Sequence, residues 1–142
     1  MPSVDQTVLV IGSLVADYLS IGPISDVDGF GYGSVAVGGA SGSFSAKIKC
    51  ETSRHDLASL KDWIKAQHSN PALQQNWVSM DGQLRIGFSG TVLGAIRASV
   101  IITQFGECDR VLSYDLVLDQ SYLPKLIMQL ATILASMPEA QS

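Results

Sequence analysis

The side chains that most often bind metal ions or perform catalysis are few in this chain, and their spacing suits neither role. His55 and His68 are thirteen residues apart and have no cysteine pair nearby, so they do not match a zinc-binding spacing. The segment Asp26–Gly29 is similar to the start of a calcium loop, but Val37 stands where that loop needs a bidentate Glu. The sequence therefore predicts no metal site and no cofactor.

The glycine-rich segments do not predict a phosphate site or a nucleophile either. A phosphate-binding loop needs a strand before it, a helix after it and usually a Lys, and neither the alternating Gly29, Gly31 and Gly33 nor the cluster at 38–42 has all of these. The spacing in Gly87–Gly90 is wrong for a Gly-x-Ser-x-Gly elbow. We predict no catalytic residues and a protein that is not an enzyme. Alternating glycines within one strand would leave a bare face, which a backbone or a small ligand could approach.

An internal repeat at an offset of 66 residues is the strongest structural signal. Ser53 is a predicted helix N-cap, with Asp56 three residues later as in a capping box, and Asp119 is the predicted cap of a second helix. The apolar stripes of the two helices correspond: Leu57, Leu60 and Ile64 match Leu123, Leu126 and Leu130. The second helix, from Tyr122 to about Met137, is apolar nearly all round, which predicts burial.

Strand patterns before the two helices repeat in the same register. Apolar residues alternate in Phe44–Cys50 and again in Leu112–Leu118, and both strands face the same way within their own repeat. With the hairpin signals elsewhere, each half reads as four strands and then one helix. We predict an α+β fold of the form ββββα twice, with antiparallel sheets and two packed helices. The expectation is a single domain, 1–142, with pseudo-repeats at 1–69 and 70–142.

Composition narrows the class of partner. The net charge of −4 disfavours nucleic acid and anionic membranes and suits a basic partner. No apolar run reaches the length of a membrane span, and residues 1–5 lack a secretory signal, so we expect a cytoplasmic protein. Cys50 and Cys108 do not form a disulfide framework and are expected to be idle thiols, although a bridge between them stays possible.

Acidic residues at predicted loops and strand edges are the candidates for partner binding. The turn at 106–109 is acidic, whereas its counterpart under the repeat, 40–43, is neutral. Such residues would steer the encounter, and a few apolar anchors would supply the affinity. The predicted contact residues are Asp26, Asp28, Glu107, Asp109 and Asp115, with Tyr32 and Trp77 as anchors.

The segments Phe44–Cys50 into Asp56–Ile64, and Val111–Leu118 into Leu123–Leu134, carry a family resemblance. Their doubled arrangement of strands and a helix resembles the immunity proteins of bacterial contact-dependent and polymorphic toxin systems. That resemblance implies binding and neutralisation of a cognate toxin domain, here a basic one such as a nuclease, by occlusion of its active site. The sequence leaves open the toxin's identity and whether the chain is a monomer or a homodimer.

Three alternatives remain at this stage. A secretion chaperone would hold an effector segment on a sheet edge or in an apolar groove. The doubled unit also resembles the Whirly-like fold of single-strand nucleic-acid binders, but such binding needs a basic groove with aromatic platforms, and the basic residues here are scattered. A carrier of a small ligand would need a closed apolar pocket.

Overall fold

The computed structural model describes residues 8–12 and 16–137. Residues 1–5, on which the expectation about a secretory signal rests, lie outside that part. The elements in chain order are β1 (Leu9–Gly12), β2 (Tyr18–Ser25), β3 (Tyr32–Ser41), β4 (Phe44–Ser53), α1 (Arg54–Ser69), β5 (Gln75–Val78), β6 (Leu84–Gly90), β7 (Ala95–Gln104), β8 (Arg110–Asp119), a 3-10 turn (Gln120–Tyr122) and α2 (Leu123–Ala135).

The eight strands form two antiparallel sheets, ordered β1-β2-β3-β4 and β5-β6-β7-β8. Each sheet is followed by a helix, so the predicted α+β fold with ββββα twice is confirmed. We call β1 to α1 the first unit and β5 to α2 the second unit. The strands β1, β2 and β4 begin 66 residues before their counterparts, whereas β3 begins 63 residues before β7. The difference lies in the loops on either side of β7.

The matching of the acidic turn with residues 40–43 is wrong. Ala40 and Ser41 belong to β3, and Ser41 pairs with Phe44 across a two-residue turn. In the second unit Gln104 pairs with Arg110, so that turn has five residues, 105–109. The acidic turn is therefore a longer hairpin tip without a counterpart of equal length.

The predicted strand register is confirmed by burial. Cys50 and Thr52 of β4 are buried, and so are their counterparts Leu116 and Leu118 of β8. These side chains and the apolar face of each helix form the core. The prediction of alternating glycines in one strand is wrong, because β3 begins at Tyr32 and both Gly29 and Gly31 precede it.

Both cysteines are free thiols, Cys50 buried and Cys108 exposed. Burial, together with the nearby carboxylates of Asp81, Asp56 and Glu51, raises the pKa of the Cys50 thiol to about 12. We expect a thiol reagent such as DTNB to modify only Cys108 in the folded protein. Cys50 should react when urea unfolds the chain; reaction of both thiols at equal rates in buffer would contradict its burial.

The helix starts differ from the sequence expectation in one respect. The Ser53 hydroxyl accepts a hydrogen bond from Asp56 N at 3.0 Å, as predicted for an N-cap. The Asp56 carboxylate does not complete the capping box. It accepts from Met80 N at 3.1 Å and so ties α1 to the second unit. The second helix ends at Ala135 and is not buried all round, since Met128 is 71% exposed.

Each helix covers the outer edge strand of the other unit's sheet. From α2, Gln129 Oε1 accepts a hydrogen bond from Val10 N at 3.1 Å, and the nearby Tyr122 hydroxyl donates to Val10 O at 2.9 Å. Toward α1, Gln75 Nε2 donates to Trp63 O at 2.8 Å. Unpaired strand edges favour pairing with other chains, so the bonds to the Val10 backbone protect the edge of β1.

The other edge of the first sheet, β4, is covered along half of its length by the turn between β5 and β6. Asp81 Oδ2 accepts a hydrogen bond from Glu51 N at 2.8 Å, and Gln83 Nε2 donates to Lys49 O at 3.2 Å. This turn, which contains Asp81 and Gly82, thus joins the units. The half of β4 that begins at Phe44 has no such cover among the described residues.

Candidate protein-binding site

A short loop between β2 and β3 presents two aromatic rings to solvent. We call residues 26–32 the aromatic loop. Phe30 is 62% exposed and Tyr32 is 52% exposed, although both are large side chains that gain from burial. They border a shallow groove of about 310 Å³ that continues along the start of α1 to His55 and Ala58.

Asp28 fixes the shape of the aromatic loop. Its Oδ1 accepts hydrogen bonds from Phe30 N at 2.8 Å and from Tyr32 N at 3.1 Å. Its backbone N–H donates to Tyr32 O at 2.8 Å. Asp side chains commonly order turns in this way. Asp28, predicted as a partner contact, therefore positions the two aromatic rings.

The loop is also anchored to the helix behind it. Arg54 N donates to Gly31 O at 2.8 Å. The Arg54 guanidinium reaches the end of α2, where it donates to Leu134 O and, at 3.1 Å, to Met137 O. Leu134 lies in the last turn of α2 and Met137 just beyond its end, so the guanidinium adds side-chain donors at the helix C-terminus. One residue thus links the aromatic loop to both helices.

Asp26 lies at the start of the loop with its charge partly balanced. Its carboxylate lies 3.6 Å from Lys49 Nζ, and both side chains are mostly exposed. An ion pair of this kind contributes little to stability, because water and salt screen it. Asp26 can therefore exchange Lys49 for a partner's cation at small cost.

Trp77, predicted as an anchor, is only 4% exposed. It lies in the core, where its indole Nε1 donates to Ser59 Oγ at 3.1 Å. A partner cannot reach it in this conformation, so we leave it out of the surface described here.

The remaining predicted acids lie in the second unit, away from the aromatic loop. Asp109 Oδ1 accepts from Gly106 N at 3.2 Å and shapes the 105–109 turn, whereas the Glu107 side chain has no partner among the described residues. Asp115 lies 3.6 Å from Arg97 on the outer face of the second sheet. The structure does not bring the predicted acids together into one patch.

A second exposed apolar region was missed by sequence reasoning. It is a groove of about 340 Å³ between the first residues of β4 and of β8, lined by Phe44, Ser45, Ala46, Lys47, Ile48, Ile102, Gln104, Arg110, Val111 and Leu112. We call it the hairpin groove. Phe44 begins an alternating run, which predicted an inward side chain, yet it is 73% exposed because β4 extends past the core at this end. Only the length of the strand could have indicated this.

Within residues 8–12 and 16–137, no three His, Cys, Asp or Glu side chains group closely enough to hold a metal ion. In the same residues, no helix has the length and apolar composition needed to cross a bilayer. Neither observation adds a chemical role to the two surfaces.

Comparison with curated proteins finds no match. The model of the Immunity protein WapI-like family matches residues 31–138. The match runs from the end of the aromatic loop through β3, β4, α1 and the whole second unit, which is more than half of the chain. The resemblance to toxin-system immunity proteins is thereby confirmed, and the chain belongs to the Immunity protein WapI-like family.

Proposed function

We propose that this protein binds a cognate bacterial toxin domain through the aromatic loop and neutralises it by occluding its active site. Membership of an immunity protein family supports a toxin as the partner. The observation that carries the choice of surface is the pair of exposed rings, Phe30 and Tyr32, on a loop ordered by Asp28. Aromatic side chains supply much of the energy of protein interfaces.

The order of the loop bears directly on affinity. Side chains and loops lose conformational entropy when they become fixed, and this loss opposes binding. A surface that is already fixed before binding loses less entropy. In this protein the backbone around both rings is held by four hydrogen bonds that involve Asp28. The rings therefore meet the toxin in the geometry that they already have.

The proposed toxin is a nuclease with a basic active site. The net charge of −4 favours such a partner, and the mostly exposed Asp26 lies beside the two rings. Complementary charge mainly speeds association and sets specificity. A standard interface of about 800 Å² per partner extends roughly 16 Å from its centre. Glu107 and Asp109 lie outside that radius. Their turn adjoins the groove at Phe44, which pairs with the far end of β3, and β3 spans about 30 Å at 3.3 Å per residue.

The test compares two matched double variants for binding to the cognate toxin domain. We expect Phe30→Ala with Tyr32→Ala to weaken binding by about 2–4 kcal/mol, some 30- to 1000-fold, in calorimetry. The control is Val92→Ala with Leu93→Ala, which removes two exposed apolar side chains from the equivalent loop of the second unit. The control should bind and protect cells as the wild type does.

Two outcomes would contradict different parts of the proposal. A wild-type chain that neither binds the toxin domain nor protects cells producing it would refute the immunity function. Wild-type affinity in the Phe30 and Tyr32 variant would refute this surface and leave the function standing.

Two substitutions at Asp28 distinguish its role in positioning the rings from a direct contact of its charge with the toxin. Asp28→Asn keeps an Oδ1 acceptor for Phe30 N and Tyr32 N but removes the charge, whereas Asp28→Ala removes both. If Asp28 positions the rings, we expect toxin binding to stay within about threefold for Asn and to fall by at least tenfold for Ala. Equal losses in the two variants would show that the charge itself contacts the toxin.

A further inference from the structure

The hairpin groove combines an apolar lining with exposed apolar residues at its rim. Ile48, Ile102 and Leu112 line it and are half-buried or buried, while Phe44 is 73% exposed and Val111 is 60% exposed. Next to it the 105–109 turn carries Phe105, which is 56% exposed. Clustered apolar exposure of this kind marks an interaction surface more often than single exposed residues do.

The edge strands β4 and β8, each the last in its sheet, border the same groove. In β4 the edge-facing groups include Glu51 N and Lys49 O, which the turn between β5 and β6 covers. Because alternate residues of an edge strand point their backbone groups the same way, those of Lys47 and Ser45 also face outward. No hydrogen bond covers them among the described residues. A second polypeptide placed here can satisfy these backbone groups.

Basic and acidic side chains lie on adjoining parts of this region, and Arg110 lines both the groove and the hollow of the turn. Lys47 and Arg110 line the groove, and neither forms an ion pair in the described part of the chain. The adjoining turn carries Glu107 and Asp109, which also form no ion pair there. An acidic, apolar tip therefore lies directly beside a basic, apolar groove on the same molecule. In a two-fold dimer, a surface that holds both halves is self-complementary.

We propose that two copies of this chain associate through the hairpin groove, with the 105–109 turn of each copy lying in the groove of the other. Phe105 then packs on the apolar lining, and Glu107 and Asp109 face the partner's Lys47 and Arg110. The aromatic loop lies about 30 Å away along β3, so the dimer leaves both of its toxin-binding surfaces open. This inference does not depend on the toxin.

The experiment is sedimentation velocity of the full chain over a range of concentrations, with two charge variants. The tip variant carries Glu107→Lys and Asp109→Asn, where Asn keeps an acceptor for Gly106 N. The groove variant carries Lys47→Glu and Arg110→Glu. We expect the wild type to dimerise with a Kd on the order of micromolar, and each variant alone to dimerise at least tenfold more weakly.

An equimolar mixture of the two variants gives the decisive result. Each tip then meets a groove of opposite charge in both directions, so we expect the mixture to form a heterodimer at least tenfold tighter than the dimer that either variant forms with itself. High salt should weaken this heterodimer because its charges are exposed. The control, Lys65→Glu with Lys125→Glu, makes the same change in net charge as the groove variant at exposed positions on the two helices, outside the groove, and should dimerise as the wild type does.

The proposal is overturned by any of four results. These are a wild type that stays monomeric at about 0.5 mM, far above the expected Kd; a dimer that both variants retain; a mixture that stays monomeric; or a monomer whose groove binds a single-stranded oligonucleotide. Should a charge variant fail to fold, Phe44→Ser and Phe105→Ser replace it. Both side chains are mostly exposed, so these changes should weaken the dimer by at least tenfold and leave thermal unfolding of the monomer unchanged.

Discussion

Replacing Gly39 with Ala is expected to lower the free energy of unfolding by about 3 kcal/mol. Gly39 lies in β3 where the two units pack together, and a methyl group there would overlap the Tyr114 hydroxyl and lie 2.6 Å from Ile102 Cδ1. Tyr114 cannot move freely, because its hydroxyl donates to Tyr18 O at 2.7 Å. The substitution therefore combines overpacking with the loss of a hydrogen bond between the units.

Urea unfolding, monitored by tryptophan fluorescence, measures the loss of stability. The neighbouring Gly38 supplies the control. A methyl group at Gly38 would lie 3.1 Å from the Ser20 hydroxyl and 3.9 Å from Ala46 O, so Gly38→Ala should change stability by less than about 1 kcal/mol. Adding Tyr114→Phe to Gly39→Ala removes the overlapping oxygen and should recover part of the loss. Equal effects at Gly38 and Gly39 would show that loss of glycine flexibility, and not the contact with Tyr114, decides the result.

Asp81→Ala is expected to cost about 2 kcal/mol at neutral pH. The Asp81 carboxylate accepts from Glu51 N at 2.8 Å, from Ser79 Oγ at 2.9 Å, and from both the backbone N–H and the side-chain amide of Gln83. These bonds hold the turn between β5 and β6 and attach it to the edge of β4. Ala would leave several polar groups without a partner at the junction of the units.

The loss at Asp81 should depend on pH. Burial alone would raise the pKa of this carboxyl, but the hydrogen bonds from Gln83, Glu51 and Ser79 outweigh burial and hold the pKa below its usual value of 3.8. Its stabilising effect is therefore present above about pH 4 and is lost as the pH falls through the lowered pKa. We expect the difference in stability between wild type and Asp81→Ala to shrink below pH 4, as measured by urea unfolding at several pH values.

Asp56 responds to acid in the opposite direction. Burial raises its pKa, although the hydrogen bond from Met80 N opposes the rise. Protonation of Asp56 relieves an unfavourable buried charge, so its effect favours the fold as the pH falls. Because Asp56 is present in both the wild type and the Asp81 variant, most of its effect cancels in the difference between them. A difference that stayed constant down to pH 2 would contradict the role given to Asp81.

Local periodicity was sufficient to predict the units but not the way they join. The alternation in β4 and β8 and the Ser53 cap depend on residues close in sequence, and both were predicted correctly. Other hydrogen bonds join residues far apart in sequence, such as those from Met80 N to Asp56 and from Val10 N to Gln129. No local pattern distinguishes such partners from solvent-exposed polar side chains.

The candidate surface was predicted only in part for a related reason. Charge and residue type indicated Asp26, Asp28 and Tyr32, which the aromatic loop brings together. The same reasoning could not show that Asp28 is used by the backbone of its own loop, or that Trp77 is buried. It also missed Phe30 and Phe44, because exposure of a large apolar side chain depends on where a strand leaves the core.

The exchange of helices between the units sets the order in which a growing chain can complete its fold. The hydrogen bond between Val10 and Gln129 spans 119 residues, so the outer edge of the first sheet waits for α2, the last helix described. During synthesis at about 5–20 residues per second, that edge stays open for several seconds after β1 to β4 have been made. Early translation products would therefore expose a pairing-competent strand until the second unit arrives.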